Sequence, residues 1–169
     1  VAVLADGGVV AFPTETFYGL AADATNVTAV HRIFAVKGRS FSNPIALIIA
    51  REDELAQLTE EVPDVARKLM AAFWPGPLTL VFRARPEINS RLTAGTGKIG
   101  VRISSHPFAQ ALATSLGRPI TATSANISGQ PECTTAAAVR SQLGKGNSTV
   151  PGGVVYILDG GTTPGGKGS

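Results

Sequence analysis

The stretch VVAFPTETFYGL occupies residues 9–20 and joins a run of apolar residues to a polar turn. A short apolar run bounded by turn residues is typical of a buried strand, so we predict a strand over residues 9–12. The turn that follows carries two hydroxyls and a carboxylate, on Thr14, Thr16 and Glu15. Because ligands commonly bind where the strands of an α/β sheet end, this turn is the first candidate site. The alternative is a polar turn whose threonines bond to nearby backbone.

The same strand pattern recurs along the chain and alternates with helical spacing. Further strands are predicted at residues 45–49, 78–82, 99–103, 120–122 and 154–158. Helical spacing lies between them, at residues 28–37, 63–73, 107–116 and 135–143. Such alternation predicts an α/β domain with helices on a sheet, and on this pattern alone we expect the sheet to be largely parallel.

The composition is that of a compact, weakly basic globular protein. Of 169 residues, 44% are hydrophobic and 16% are charged, which excludes a disordered tail. The net charge of +3 suits phosphate-bearing ligands without being a nucleic-acid signature. Cys133 is the single cysteine, so we expect neither an internal disulfide nor a cysteine-based metal site. No apolar run is long enough to span a membrane and no signal peptide opens the chain, so we expect a cytoplasmic protein.

A second candidate site is cationic and lies at the end of a predicted helix. At about 100° per residue, Lys37 projects from the same helix face as Val30, which we expect to be buried, and a buried lysine calls for an anionic partner. Arg39 adds a second cation, and phosphate or carboxylate between the two would relieve their repulsion. Asn43 offers a neutral donor. The alternative is favourable charge at a helix C-terminus that is capped by Gly38.

Ser124 and Asn126 form the third candidate, at the end of the strand predicted over residues 120–122. Residues two apart in extended backbone point to one face, where a hydroxyl and an amide can bind phosphate or carboxylate oxygens. An Asx-type turn explains the same residues equally well. No histidine or acidic residue stands beside Ser124 to activate it, so we predict no covalent catalysis.

Six motifs follow one another along nearly the whole chain: PTETFYGL, KGR followed by NP, WPGPLT, the VR of IGVR, SANISG and DGG. Their order and spacing resemble those of the YrdC-like family of threonylcarbamoyl-AMP synthases. The resemblance implies a single α/β domain over residues 1–169, with a twisted, mixed, open sheet flanked by helices around a basic concave cavity. It therefore replaces the parallel sheet expected from pattern alone. It also implies that the chain lacks its extreme N-terminus and a strand that would follow Ser169.

The resemblance assigns roles to the candidate residues. The residues expected at an L-threonine site are Thr16, Arg102 and Ser169. Those expected at an ATP site are Arg39, Asn43, Ser124 and Asn126. Arg102 would pair with the threonine carboxylate, while Lys37 and Arg39 would supply positive charge for catalysis. No metal site of the protein's own is implied, and Mg²⁺ would arrive with ATP.

The reaction implied by the resemblance is nucleotidyl transfer. L-threonine and bicarbonate give an N-carboxylated threonine, whose carboxylate attacks the α-phosphate of ATP and expels pyrophosphate. The product, threonylcarbamoyl-adenylate, serves tRNA modification, directly or through a threonylcarbamoyl transferase complex. Two other functions stay open. One is a carbamoyl-adenylate-forming domain that uses carbamoyl phosphate, and the other is a tRNA- or double-stranded-RNA-binding module held by phosphate contacts.

Overall fold

Seven strands pair into one sheet in a computed structural model, which describes residues 1–144 and 155–166. The strands are β1 (Val9–Pro13), β2 (Tyr18–Ala21), β3 (Ala46–Ile48), β4 (Leu80–Arg83), β5 (Lys98–Arg102), β6 (Ile120–Ser124) and β7 (Val155–Ile157). Their order across the sheet is β4-β5-β3-β6-β2-β1-β7. All strands predicted from the apolar runs are confirmed, with ends shifted by one or two residues.

The sheet is mixed. The pairs β1–β2, β2–β6, β3–β6 and β4–β5 run antiparallel, whereas β3–β5 and β1–β7 run parallel. The largely parallel sheet expected from pattern alone is therefore wrong, and the mixed sheet implied by the family resemblance is confirmed. The reason is a strand that the pattern missed. β2 follows β1 after residues 14–17, and so short a turn can join only antiparallel neighbours.

Five α-helices and one 3₁₀ helix accompany the sheet in the described residues. The α-helices are α1 (Ala2–Ala5), α2 (Val27–Lys37), α3 (Asp64–Phe73), α4 (Pro107–Leu116) and α5 (Ala136–Leu143), and the 3₁₀ helix spans Glu52–Gln57. α2 begins after Asn26, whose side chain accepts the Ala29 N–H at 3.1 Å. It ends at Gly38, which caps it in the left-handed conformation with φ of +57°. The four helices predicted from spacing are confirmed; α1 and the 3₁₀ helix were not predicted.

The core has two apolar clusters, one on each face of the sheet. Val9 and Ala11 of β1 belong to the larger cluster, which contains the buried side chains of α2, α3 and α5. Val10 and Phe12 belong to the smaller cluster, with side chains of α1 and α4. Alternate residues of a strand point to opposite faces, so β1 is covered on both sides. The described part of the chain is thus a three-layered α/β structure.

Candidate active site

One cavity, of about 230 Å³, opens where the turn after β1 meets the ends of β5 and β6. Its polar lining consists of the side chains of Thr14, Thr16, Tyr18, Arg39, Thr79, Arg102, Thr123, Ser124 and Glu132. Two of these are guanidinium groups and one is a carboxylate, so the lining carries a net positive charge. Hydroxyl groups supply most of its remaining hydrogen-bonding capacity. Such a lining suits a ligand with anionic oxygens.

The cavity brings together some of the predicted site residues and leaves others out. Those that line it are Thr16, Arg39, Arg102 and Ser124. Lys37 and Asn126 are buried behind its wall, and Asn43 is exposed outside the lining. Ser169 lies outside the described residues. The roles predicted for all of these residues stay predictions.

The turn between β1 and β2 has the local bonds of a polar turn and also contributes to the cavity lining. The Thr14 hydroxyl donates to the carbonyl of Phe17 at 2.7 Å and accepts the Thr16 N–H at 3.2 Å. These are the local bonds of a polar threonine turn. They hold the turn in the shape that places Thr16 on the cavity lining. The local-turn alternative therefore describes Thr14 and is compatible with a ligand contact at Thr16.

Arg39 connects two walls of the cavity. One terminal nitrogen donates to the Thr123 hydroxyl on β6 at 2.9 Å, and the other donates to the carbonyl of Pro44 at 2.9 Å. Its Nε is buried and has no hydrogen-bond partner among the residues described. Burial lowers the pKa of Arg39, but a guanidinium keeps its charge at neutral pH. A half-buried cation on the cavity lining fits an anionic ligand.

Lys37 supports the cavity wall from behind. It is only 2% exposed, and its Nζ donates to the carbonyls of Ser124 and Asn126 and to Oδ1 of Asn126, the last at 3.0 Å. Three acceptors match the three N–H donors of an ammonium group. Burial, followed by the nearby charge of Arg39, lowers the pKa of Lys37 to about 8. The sequence predicted an anionic partner for this lysine, and that prediction is wrong for its hydrogen bonds. All three acceptors are neutral amide oxygens.

The Ser124–Asn126 turn is held by the same contacts. The Ser124 hydroxyl donates to Oδ1 of Asn126 at 2.6 Å, and Nδ2 of Asn126 donates to the carbonyl of Gln130 at 2.6 Å. Asn126 thus faces Lys37, whereas Ser124 remains on the cavity lining. The turn fixes the position of Ser124 rather than presenting two ligand contacts side by side.

Arg102 has a buried carboxylate partner that sequence reasoning did not assign. One of its terminal nitrogens lies 3.1 Å from Oε1 of Glu15, and the two side chains are 7% and 14% exposed. The other carboxylate oxygen accepts the Ser104 hydroxyl. Burial lowers the pKa of Arg102, and the Glu15 carboxylate opposes that shift. The sequence signal was the Glu15 carboxylate within the first motif, but the pairing crosses the sheet and is not visible in local patterns.

The described residues show no sign of a resident metal or of a membrane span. No group of three or more His, Cys, Asp or Glu side chains in residues 1–144 and 155–166 is placed to hold a metal ion. Glu132 is the single carboxylate among the cavity-lining residues, which does not make a metal cage. In the same residues, every helix is too short or too polar to cross a bilayer.

Comparison with known proteins gives close matches over nearly the whole chain. The Sua5/YciO/YrdC family model, described as telomere recombination, matches residues 2–169. Threonylcarbamoyl-AMP synthase of Bacillus subtilis is 44% identical over 96% of this chain, and that of Klebsiella pneumoniae is 38% identical over 90% of it. A crystal structure of Pyrococcus abyssi Sua5 complexed with L-threonine superimposes with a TM-score of 0.87 at 41% identity, covering 96% of this chain.

These relatives differ in length from the present chain. The chain spans 45% of the Bacillus subtilis protein and 46% of the Pyrococcus abyssi chain. It spans 81% of the Klebsiella pneumoniae protein, which carries the same name. The matched region is therefore nearly all of one relative and about half of the others.

Proposed function

The chain belongs to the Sua5/YciO/YrdC family, and on that premise we propose that it acts as a threonylcarbamoyl-AMP synthase. The observation that carries the proposal is the presence of two arginines on the lining of one cavity, Arg39, which is half-buried, and Arg102, which is buried. Each is fixed by protein contacts before any ligand binds. Two fixed cations fit a reaction that joins a carboxylate-bearing amino acid to a nucleotide phosphate.

L-threonine binds on the side of the cavity formed by the turn after β1. Its carboxylate pairs with the guanidinium of Arg102, and the Thr16 hydroxyl contacts the rest of the amino acid. The L-threonine complex of the 41% identical Pyrococcus abyssi Sua5 supports this assignment. We expect Ser169 to contribute to the same side.

ATP binds on the side formed by β6 and the segment after α2. Its phosphates contact Arg39 and the Ser124 hydroxyl, both on the lining. Asn126 and Lys37 act through the backbone and side chain of the Ser124 turn, and Asn43 contacts ATP from the cavity edge.

The chemical step transfers the adenylyl group. The amine of threonine and bicarbonate first form an N-carboxylate with loss of water. One oxygen of that carboxylate attacks the α-phosphate of ATP, the bond from the α-phosphorus to the bridging oxygen breaks, and pyrophosphate leaves with the electron pair. Arg39 stabilises the charge on the phosphate oxygens, as does the Ser124 hydroxyl once it turns from Oδ1 of Asn126 toward them, and the fixed arginines keep the reactants in line. Mg²⁺ arrives with ATP and is held mainly by its phosphates.

The product is a reactive mixed anhydride of the threonylcarbamoyl group and AMP, so we expect the threonylcarbamoyl group to be passed to an acceptor. We propose that it is used for threonylcarbamoyladenosine modification of tRNA, directly or through a threonylcarbamoyl transferase complex, in the cytoplasm. The relatives named threonylcarbamoyl-AMP synthase support formation of the adenylate itself.

The test is pyrophosphate release from ATP, L-threonine and ¹³C-bicarbonate, with the product identified by mass. We expect release that depends on L-threonine, and a product that carries the label. Arg39→Ala and Arg102→Ala should abolish release, whereas the exposed Arg67→Ala serves as the matched control. Release that occurs only with carbamoyl phosphate in place of threonine would indicate the carbamoyl-adenylate reaction instead. Salt-dependent RNA binding by a folded protein without ATP turnover would indicate an RNA-binding module.

A further inference from the structure

The turn after β1 buries a carboxylate that the proposed reaction does not use. Glu15 is not on the cavity lining, yet it contacts Arg102, which is. We propose that Glu15 is a positioning residue, which fixes the guanidinium of Arg102 for the carboxylate of an amino-acid substrate. The proposal rests on the function proposed above and adds the residue that sets the geometry of its amino-acid site.

The two oxygens of the Glu15 carboxylate lie against protein groups, Oε1 in an ion pair without a hydrogen bond and Oε2 in a hydrogen bond. Oε1 lies 3.1 Å from a terminal nitrogen of Arg102, and Oε2 accepts the hydroxyl of Ser104. Oε1 is buried and Oε2 already accepts a hydrogen bond, so neither oxygen is well placed to act as a base or a ligand contact. The carboxylate therefore acts through Arg102 rather than on the substrate.

Ser104 also bonds to the start of α4, so Glu15 is connected through Ser104 to that helix. Its hydroxyl accepts the His106 N–H at 3.2 Å, and its carbonyl accepts the side-chain amide of Gln110 at 2.8 Å. His106 is the N-cap of α4 and Gln110 lies in its first turns. Glu15 is thus held between a rigid helix start and the guanidinium that it orients.

Physical chemistry explains why an arginine at this place needs such a partner. A guanidinium on a long side chain has many rotamers, and holding it in one of them costs conformational entropy. Its planar fork of N–H donors can bind one carboxylate along one edge and another along a different edge. The buried Glu15 restricts Arg102 before the substrate arrives, so less entropy is lost when a carboxylate binds.

Two substitutions at Glu15 separate geometry from charge. Glu15→Asp keeps the negative charge but is one methylene shorter, so it cannot span Arg102 and Ser104 from the same backbone position. Glu15→Gln keeps the length and an acceptor oxygen but removes the charge. A positioning role predicts that Glu15→Asp is the more damaging change. A role limited to charge predicts the reverse order.

The experiment measures binding of L-threonine and of L-threoninamide by titration calorimetry. We expect Glu15→Asp to weaken L-threonine binding about tenfold, the scale of one charge-assisted hydrogen bond, and Glu15→Gln to weaken it less. L-threoninamide has no carboxylate for Arg102, so its affinity should be the same in the wild type and both variants. Glu60→Asp, at an exposed position outside the cavity lining, is the matched control.

The outcomes distinguish this proposal from the function on which it rests. A wild-type protein that does not bind L-threonine overturns the proposed function. A wild type that binds L-threonine, with Glu15→Asp binding it equally well or both ligands weakened alike, overturns the role of Glu15 alone. If Glu15→Asp does not fold, Ser104→Ala tests the proposal instead. It keeps the charges of Glu15 and Arg102 and removes only the hydroxyl that holds the Glu15 carboxylate. We then expect a loss of about threefold for L-threonine and none for the amide.

Discussion

Nζ of Lys37 lies 3.0 Å from Oδ1 of Asn126 and donates to it, which ties the last residue of α2 to the turn after β6. The same ammonium bonds to the backbone carbonyls of Ser124 and Asn126. A side chain of the helix therefore holds the backbone of a cavity wall. The family resemblance assigned Lys37 to catalysis, whereas in the structure Lys37 contacts the Ser124 turn and does not line the cavity.

Replacement of Lys37 by Met should destabilise the fold and weaken ATP binding together. Methionine fills a similar volume but removes the lysine donor from three acceptors. Oδ1 of Asn126 keeps the Ser124 hydroxyl and the Ser124 carbonyl keeps the Asn126 N–H, so the Asn126 carbonyl loses most, at a cost of about 1–3 kcal/mol in the free energy of unfolding. Urea unfolding and ATP titration check this. Lys68→Met, at an exposed position on α3, is the control and should change neither quantity. Unchanged stability in Lys37→Met would show that the three contacts do not hold the wall.

The lowered pKa of Lys37 predicts a pH dependence of stability. Burial brings the pKa to about 8 in the folded protein, whereas an unfolded lysine titrates near about 10.4. Between these values the unfolded chain binds more protons, so this group makes the free energy of unfolding rise with pH above about 8. Below pH 8 the free-energy cost of keeping Lys37 charged in the folded protein is constant.

The measurement is urea unfolding from pH 7 to 10 in a Cys133→Ala background, because Cys133 is a neighbouring titratable group whose pKa is raised by burial. The wild-type lysine should show the rise, and Lys37→Met should lack it. Parallel curves for the two proteins would mean that Lys37 keeps an ordinary pKa.

The elements of the fold could be predicted from local patterns, but their arrangement could not. Apolar runs and helical spacing identified strands and helices because those signals repeat within a few residues. β2 was missed because it is short, contains Gly19 and lies inside a polar motif. Its absence from the prediction then favoured a parallel sheet. The family resemblance supplied the mixed sheet that local patterns had not indicated.

The same distinction applies to the candidate site. Helical spacing correctly placed Lys37 on the buried face of α2, but the neutral backbone carbonyls that receive it have no signature in a sequence. Likewise, Glu15 was noticed in its motif, while its pairing with Arg102 depends on the strand order. Partners that are distant in the chain require the sheet topology.

The segment between α2 and β3 should depend on an aromatic contact outside the cavity. The guanidinium of Arg91 lies 4.5 Å from the ring centroid of Phe41, and the same side chain lies 2.7 Å from Nδ1 of His31. Phe41 also packs on Phe34, with ring centroids 4.7 Å apart. These contacts hold a segment that carries Arg39 to the cavity lining.

We expect Phe41→Ala to weaken ATP binding about threefold while leaving L-threonine binding unchanged, because a cation–π contact contributes roughly 0.5–1 kcal/mol at an exposed site. Phe73→Ala is a matched control, since Phe41 and Phe73 are 49% and 54% exposed. Calorimetric titration with each ligand separates the two sites. Equal ATP affinity in Phe41→Ala and Phe73→Ala would rule out a role for this contact in ATP binding.

The hydroxyl of Tyr18 should matter for the L-threonine side of the cavity. It donates to the carbonyl of Gly161 at 2.7 Å and accepts the N–H of Gly160 at 3.2 Å. The segment that it holds returns to the turn after β1, where the Gly165 N–H donates to the carbonyl of Thr16 at 2.7 Å. Tyr18 thus connects the DGG motif to the predicted threonine contact.

Tyr18→Phe removes one hydroxyl and leaves two backbone groups without that partner, which should lower the free energy of unfolding by about 1–2 kcal/mol. We expect the KM for L-threonine to rise severalfold while the KM for ATP stays the same, because the loosened segment adjoins Thr16. Tyr156→Phe is the matched control, since the other tyrosine of the chain is exposed. A rise in both KM values would instead indicate general loosening of the cavity. Unchanged values for both would show that the segment holds its position without the Tyr18 hydroxyl.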